Sequence, residues 1–290
     1  CLQEWAGYLL TSNNDHQRFL VIEGEGQNGK TVFFAAMIAM LGEQNVSFVS
    51  LEAFDKQFLL GSTIGKICNI SGDTGDIDSV AEGNLKQFTG GDTMQFDRKN
   101  KEPIFCRPTA KLMCAWNTRP RIKDKSQGLW RRMLLVPFTK TIEEHRKIPG
   151  MDNQQYWIDS GECGGILRWA LIGLARLKEQ GNFTIPDISI AAKDEYREFE
   201  NPASEFICDH LEVTEHVSDW VDTKLVYKLY CKWCIEEGRK PVSNRNFGRE
   251  LKRIFPKIDR VKARQAGKLF WKYEKIKFSV DEICGEKIYF

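Results

Sequence analysis

One eight-residue run constrains this chain more than any other: Gly24-Glu25-Gly26-Gln27-Asn28-Gly29-Lys30-Thr31. It reads G-x-x-x-x-G-K-T, the Walker A phosphate loop. Phe19-Leu20-Val21-Ile22 before it is a short apolar run of strand character. Val32 to Leu41 after it is a helix-length run that stops at Gly42. Gly24, Gly26 and Gly29 let the loop bend tightly and bring backbone N–H groups close to phosphate oxygens. The helix starting near Lys30 turns its positive end toward them. Lys30 is expected to reach the β and γ phosphates, and the Thr31 hydroxyl to be a ligand of Mg²⁺. Gly24, Gly26, Asn28, Gly29, Lys30 and Thr31 are therefore the candidate nucleotide-binding residues, with ATP and Mg²⁺ as the expected cofactors.

At 290 residues the chain is one large domain or two of ordinary size. The formal charge of +2 says little about partners until its distribution is read. Nine cysteines form no disulfide-scaffold pattern. Cys68, Cys106, Cys114 and Cys208 sit in apolar runs and are expected to be buried free thiols in a reducing compartment, with a cytoplasmic location. There is no signal peptide and no apolar run of membrane-spanning length, so no membrane partner is expected. The chain starts at Cys1 without methionine, which predicts a fragment with a further domain upstream.

The rest of the chain follows in order. Leu2, Trp5, Ala6, Leu9 and Leu10 predict an amphipathic helix packed on the nucleotide unit. Val46 to Leu51 predicts a second strand, and Glu52 to Leu60 a short helix. Lys66 to Asp73 is an apolar strand ending in an acid, as a Walker B element requires. Asp73 is the candidate for Mg²⁺, with Asp76 and Asp78 as alternatives. Val80 to Phe88 predicts a helix ending at Gly90-Gly91. Asp92 to Pro108 carries Arg98, Lys99, Lys101 and Arg107 and predicts two short strands with a basic tip, able to hold a nucleic-acid backbone. Lys111 to Asn117 is another apolar strand. Asn117 either orients the attacking water or contacts the γ phosphate, unless it only caps the turn before Pro120. Arg131 and Arg132 precede the strand Met133 to Phe138, and their guanidinium groups suit a phosphate on a neighbouring subunit or a surface ion pair.

Tyr156 to Gln180 predicts two helices, or one broken near Gly164-Gly165. Pro202 marks a boundary. Beyond it come a helix from Thr223 to Glu237, a turn, and a helix from Asn244 to Ile254 with Ser243 as its N-cap. Phe270 to Tyr273 and Ile276 to Phe278 complete the outline of a winged helix. Arg239 to Lys277 holds fourteen Lys or Arg against three acids, so a phosphate-binding face is expected there. Arg245, Arg249, Lys252 and Arg253 lie on the candidate recognition helix. Cys231 and Cys234 form a C-x-x-C with no second pair nearby and read as core or half-exposed thiols.

Together these residues resemble the helicase part of phage, plasmid and poxvirus primase-helicases, in helicase superfamily 3. The resemblance covers Trp5 to Phe138 well and the tail more loosely. Tyr8-Leu9-Leu10-Thr11 is similar to the family's lead-in, Gly24 to Thr31 to its Walker A and Ile67 to Asp73 to its Walker B. Leu85-Lys86-Gln87-Phe88-Thr89-Gly90-Gly91-Asp92 is very close to the element after Walker B. Lys111 to Asn117 with Pro120 is similar to the sensor strand, and Trp130-Arg131-Arg132 with Val136-Pro137-Phe138 to the arginine-finger segment.

The resemblance implies an α/β fold: an AAA+ P-loop NTPase core with a short parallel sheet, then a helical segment and a winged-helix domain. The implied divisions are 1–17, 18–140, 141–201 and 202–290. It implies a ring, usually a hexamer, that hydrolyses ATP at subunit interfaces and moves along single-stranded DNA, with duplex DNA a candidate at the winged helix. Lys30, Thr31 and Asp73 would act in cis, Asn117 would be the sensor asparagine, and Arg131 or Arg132 would act in trans. Arg98, Lys99 and Lys101 would line the channel, and Lys86 would contact nucleotide or DNA. A primase or polymerase domain would lie upstream. One departure stands out: the family commonly has two adjacent acids at Walker B, whereas Asp73 lies between Gly72 and Thr74. Asp76 or Glu23 would then polarise water, or hydrolysis is slow. Two rivals remain, an origin-binding initiator or switch ATPase, and a nucleotide-binding scaffold that docks on DNA without turnover.

Overall fold

The computed structural model describes residues 1–56, 58–73, 79–120, 127–199, 202–265, 268–280 and 282–287. The chain divides into two compact units, Cys1–Asp194 and Glu195–Phe290.

In the first unit the elements run α1 (Leu2–Leu9), β1 (Phe19–Glu23), α2 (Lys30–Leu41), β2 (Val46–Ser47), β3 (Cys68–Asp73), α3 (Ser79–Gly90), β4 (Met94–Arg98), β5 (Lys101–Cys106), β6 (Lys111–Trp116), α4 (Gln127–Arg132), β7 (Met133–Pro137), α5 (Gln154–Asp159) and α6 (Cys163–Gln180). Helix α7 (Asp187–Phe199) crosses into the second unit. Five strands form a parallel sheet in the order β2-β3-β6-β1-β7. Strand β1 is therefore central, and its run Phe19 to Ile22 is buried on both faces, as a parallel sheet demands. Leu20, Ile22, Met113 and Leu134 pack with Phe34 and Met37 of α2 and with Trp5, Tyr8 and Leu9 of α1.

Helix α1 departs from the amphipathic expectation: every residue from Glu4 to Leu9 is buried. Helix α6 lies against it so closely that a Cβ on Gly173 would collide with the Gln3 carbonyl, and one on Gly7 with the Ala170 carbonyl. Glu4 accepts from Arg176 Nε at 2.7 Å and from the Thr184 amide and hydroxyl. Glu52 to Leu60 is not one helix but two 3₁₀ stretches, Leu51–Asp55 and Leu59–Thr63, and Val46 to Leu51 is a strand only over its first two residues. The break before α6 falls at residues 160–162, so Gly164 and Gly165 open α6 rather than interrupt it. Of the four thiols expected in the core, Cys68 and Cys114 are buried; Cys106 is half-buried on the separate β4–β5 hairpin and Cys208 is exposed.

The second unit holds α8 (Pro202–His210), β8 (Leu211–Val213), β9 (Trp220–Asp222), α9 (Thr223–Glu236), α10 (Asn244–Ile254), β10 (Asp259–Gln265), β11 (Lys268–Glu274), β12 (Ile276–Phe278), β13 (Glu282–Ile283) and β14 (Glu286–Lys287). Phe206, Tyr230 and Phe247 form its core. Tyr230 Oη accepts from the Val242 amide and Tyr227 Oη donates to the Val242 carbonyl, both at 2.9 Å, which clips the turn between α9 and α10. Ser243 caps α10 by accepting from the Asn246 amide. Lys275, with φ +61, breaks the chain between β11 and β12. The antiparallel ribbon is consequently β10–β11, while Ile276–Phe278 pairs with β8 instead of extending a wing.

Candidate functional site

The run from Gly24 to Lys30 leaves the carboxyl end of β1 and enters α2, with Gly29 as N-cap at φ +89. A side chain there is strained whatever the space, and glycine offers none to bond the first-turn amides. Gly24 is fixed by crowding: a Cβ would strike the Asn28 amide and the Phe138 carbonyl. The loop is pinned on both sides. Gly24 N donates to Trp116 O at 3.0 Å, Phe138 N to Glu23 O at 2.7 Å and Ile142 N to Gln27 O at 2.8 Å. Lys30 is buried, and its ammonium donates to Gly24 O at 2.5 Å and to Asn28 Oδ1 at 3.1 Å. Asn28 Nδ2 in turn donates to Phe138 O at 3.1 Å. Asn28 thus ties Lys30 to the segment after β7.

Sheet order sets what faces this loop. Strand β6 lies between β1 and β3, and all three end on the same edge. Asn117 follows Trp116 at the tip of β6, beside the loop. Asp73 closes β3 opposite Ala115, past a register shift after Ser71. Two strand spacings, about 10 Å, separate β3 from β1. Asp76 and Asp78 lie outside the described residues. A cleft of about 740 Å³ touches this edge only at Thr31, Ser71 and Gly72 and runs away from the loop along α2, past Phe34 and Ile38 toward Asp152 and Asn153.

The same edge carries a pair that the spacing of the chain does not announce. Arg119 Nε donates to Glu23 Oε1 at 2.5 Å and Nη2 to Oε2 at 3.2 Å. Both side chains are four-fifths or more buried. Glu23, a candidate for polarising water, is held with both carboxylate oxygens on Arg119. The sequence signal for Arg119 is only its place three residues beyond a core strand.

The arginine pair ends α4, immediately before β7 begins. Phe19 pairs with Met133 and Glu23 with Pro137, so Arg131 and Arg132 sit on the amino edge of the sheet. A five-residue strand, about 16 Å, separates them from the chain's own loop. The two arginines differ. Arg131 is exposed. Arg132 is buried and donates to Gly128 O at 2.8 Å. Arg18 reaches the Arg131 carbonyl. Burial, and next the charge of Arg131, lower the proton affinity of both Arg18 and Arg132, with Asp92 opposing at Arg132. Lys86 on α3 is lowered chiefly by burial and also by Arg132, against Glu82. Clustered cations of this kind favour an incoming anion.

The hairpin β4–β5 turns at Asn100, φ +58. Phe96 anchors it on Phe88 of α3, which meets Phe54 edge to face. Lys99 and Lys101 are exposed at its tip. Arg98 instead spans the hairpin, donating twice to Glu102 O at 3.1 and 2.8 Å. On α10 the four candidates also separate. Arg245 and Arg249 are exposed, one helical turn apart. Lys252 donates to Ile258 O, and Arg253 bonds Glu250 and Ser204, so these two brace the unit. Among the described residues no group of three His, Cys, Asp or Glu is placed to hold a metal, and Cys231 and Cys234 are half-buried and buried thiols. No helix of the described residues is long and apolar enough to cross a membrane.

A family of unknown function (DUF5906) matches residues 22–132, and the family "Poxvirus D5 protein-like" matches residues 201–289. "Putative helicase L207/L206" of Acanthamoeba polyphaga mimivirus is 24% identical over 243 residues, 77% of this chain and 25% of its own length. "Putative helicase 184R" of Invertebrate iridescent virus 6 is 22% identical over 245 residues, 72% of this chain and 25% of its own. The chain thus spans a quarter of the length of these curated relatives. Among solved structures, the A-form apo structure of the NrS-1 C-terminal region covers 94% of this chain and 70% of that one, at a TM-score of 0.55 and 11% identity. The chain is a distant relative of viral proteins named as helicases. It has a mixed α/β fold whose parallel core sheet is followed by helices and small β elements.

Proposed function

We propose that the chain is the ATP-hydrolysing motor part of a replicative DNA helicase of superfamily 3 type, with an AAA+ P-loop core and a C-terminal winged helix. One observation carries this reading: a glycine loop with a buried lysine stands on the carboxyl edge of a parallel sheet, and an exposed arginine stands on its amino edge. A nucleotide on one copy's loop is then out of reach of that copy's Arg131 and open to a neighbour's. The likeness to viral proteins named as helicases supports the same assignment.

The loop fits a triphosphate. It has a cradle where a Cβ at Gly24 finds no room, an uncapped helix start, and an ammonium already folded across it. Lys30 holds the β and γ phosphates, and Asn28 sets where Lys30 points. Thr31 and Asp73 hold Mg²⁺, which neutralises phosphate charge when bound. Asn117, between them at the tip of β6, orients water. Arg131, rather than Arg132, is the trans-acting finger, because its side chain is exposed whereas Arg132 is buried against its own helix. Lys99 and Lys101 track single-stranded DNA, and Arg245 and Arg249 meet duplex phosphates. A hexameric ring and an upstream primase or polymerase domain complete the assembly.

Lys30→Ala is expected to lower ATP hydrolysis by about a hundredfold or more. Arg131→Ala is expected to lower it about a thousandfold while ATP binding persists. Radiolabelled ATP turnover beside equilibrium nucleotide binding checks both. Turnover that survives Lys30→Ala would refute the assignment of the loop.

A further inference from the structure

We propose that the outer half of the β10–β11 ribbon is a binding site for single-stranded nucleic acid, in which Trp271 stacks on an unpaired base and Arg260, Lys262 and Arg264 follow the phosphates. The proposal rests on the nucleic-acid reading above and adds a site to it. Three observations carry it.

The first is register. Lys262 pairs with Trp271, Arg264 with Leu269 and Arg260 with Tyr273, so these six side chains share one face of the ribbon. The second is how that face emerges from cover. Tyr273 is buried beneath α10, where its hydroxyl abuts Gly248. Two residues earlier along β11, Trp271 is 38% exposed, and two earlier again Leu269 is 69% exposed. The face leaves the core of its unit and ends as an apolar, aromatic surface in solvent.

The third observation is charge. The acids at the base of the ribbon are engaged, Glu274 with Lys272 at 2.8 Å and Asp259 with Lys275 at 3.9 Å. Arg260, Lys262 and Arg264 are all exposed, and no acid among the described residues pairs with them. The Arg260 guanidinium lies 4.7 Å from the Trp271 ring centroid and the Lys262 ammonium 5.2 Å from it. These cations hold the indole in place electrostatically. Alternate residues of a strand repeat at about 7 Å, the order of the phosphate step along an extended single strand. An acidic peptide would be served by the cations alone. The exposed ring between them favours a ligand with both negative charge and flat apolar faces, the combination that unpaired bases on a phosphate backbone repeat at every step.

The test is fluorescence anisotropy of a labelled oligo-dT with the full chain and no nucleotide, repeated with oligo-U, a blunt duplex and poly-glutamate as competitors. Trp271→Ala is expected to weaken oligo-dT binding by about ten- to a hundredfold, the size of one base–aromatic stack. Trp271→Phe should restore most of it. Lys262→Ala and Arg264→Ala should each reduce the salt dependence by about one released ion. Oligo-U competing as well as oligo-dT would extend the site to both nucleic acids. Trp271→Ala binding like the parent would overturn the proposal, as would poly-glutamate or blunt duplex displacing oligo-dT equally in both. ATP turnover measured on the same samples keeps the two readings separable. Ribbon variants that lose binding in a chain without turnover sink the motor assignment and leave the ribbon site standing. Normal turnover with unchanged oligo-dT binding does the reverse.

Discussion

Lys111 shows how burial acts on a single charge. Its side chain is buried at the start of β6, where the ammonium donates to the Thr11 carbonyl and lies 4.9 Å from the Tyr8 ring centroid. Burial is the largest influence and holds its pKa down at about 8, against smaller opposing effects from Cys68 and Asp15. An unfolded lysine titrates near 10.4. Between about pH 8 and that value the unfolded chain binds a proton here that the folded chain lacks, so this group's contribution to stability rises with pH. The stability of the parent minus that of Lys111→Met should therefore climb across that window, by at most about 3 kcal/mol. Subtracting the variant removes the opposite trend of the buried thiols Cys68 and Cys114, whose pKa values burial raises. Urea titrations at both ends of the window measure the difference, and a flat or falling one would contradict it. The glycine loop is legible in the sequence because eight consecutive residues carry their own geometry. The Glu23–Arg119 pair is not: its members are 96 residues apart and meet only because β6 lies beside β1.

Ser243, α1 and Ile276–Phe278 show what a local or a remote partner does to the reading. Ser243 marks the start of α10 because an N-cap acts within one turn. Helix α1 misleads because its second covering surface, α6, lies more than 160 residues downstream and hides a face that its sequence leaves polar at Glu4. The ribbon misleads similarly, since Ile276–Phe278 has strand character whichever partner it takes, and the partner is β8. The α1–α6 contact has a direct consequence. Gly173→Val would press a branched side chain into the Gln3 backbone, which cannot yield as a flexible side chain does. Overpacking of this kind costs about 1–3 kcal/mol, or a fall of roughly 2–12 °C in the melting temperature of a unit this size. Scanning calorimetry checks it, and an unchanged transition would show that the two helices separate freely.

At the scale of the whole molecule, sheet polarity decides what one copy can do alone. Parallel strands put every loop that follows a strand on one edge and every residue that precedes one on the other. Lys30, Asn117 and Asp73 belong to the first edge; Arg18, Arg131 and Arg132 belong to the second. The sequence points to the first group and to Arg131 and Arg132 by their flanks, though not to Arg18, and the strand-length gap between the groups is visible only once β1 and β7 are seen in register. That gap turns the proposed chemistry into a property of at least two chains. The most direct test is the rate of ATP hydrolysis per chain as a function of protein concentration, with single-stranded DNA present and Arg131→Ala run beside the parent. The rate per chain should rise steeply with concentration and collapse in Arg131→Ala at every concentration. A rate per chain that stays constant on dilution and ignores Arg131 would mean that each copy works alone, and the composite site would be wrong.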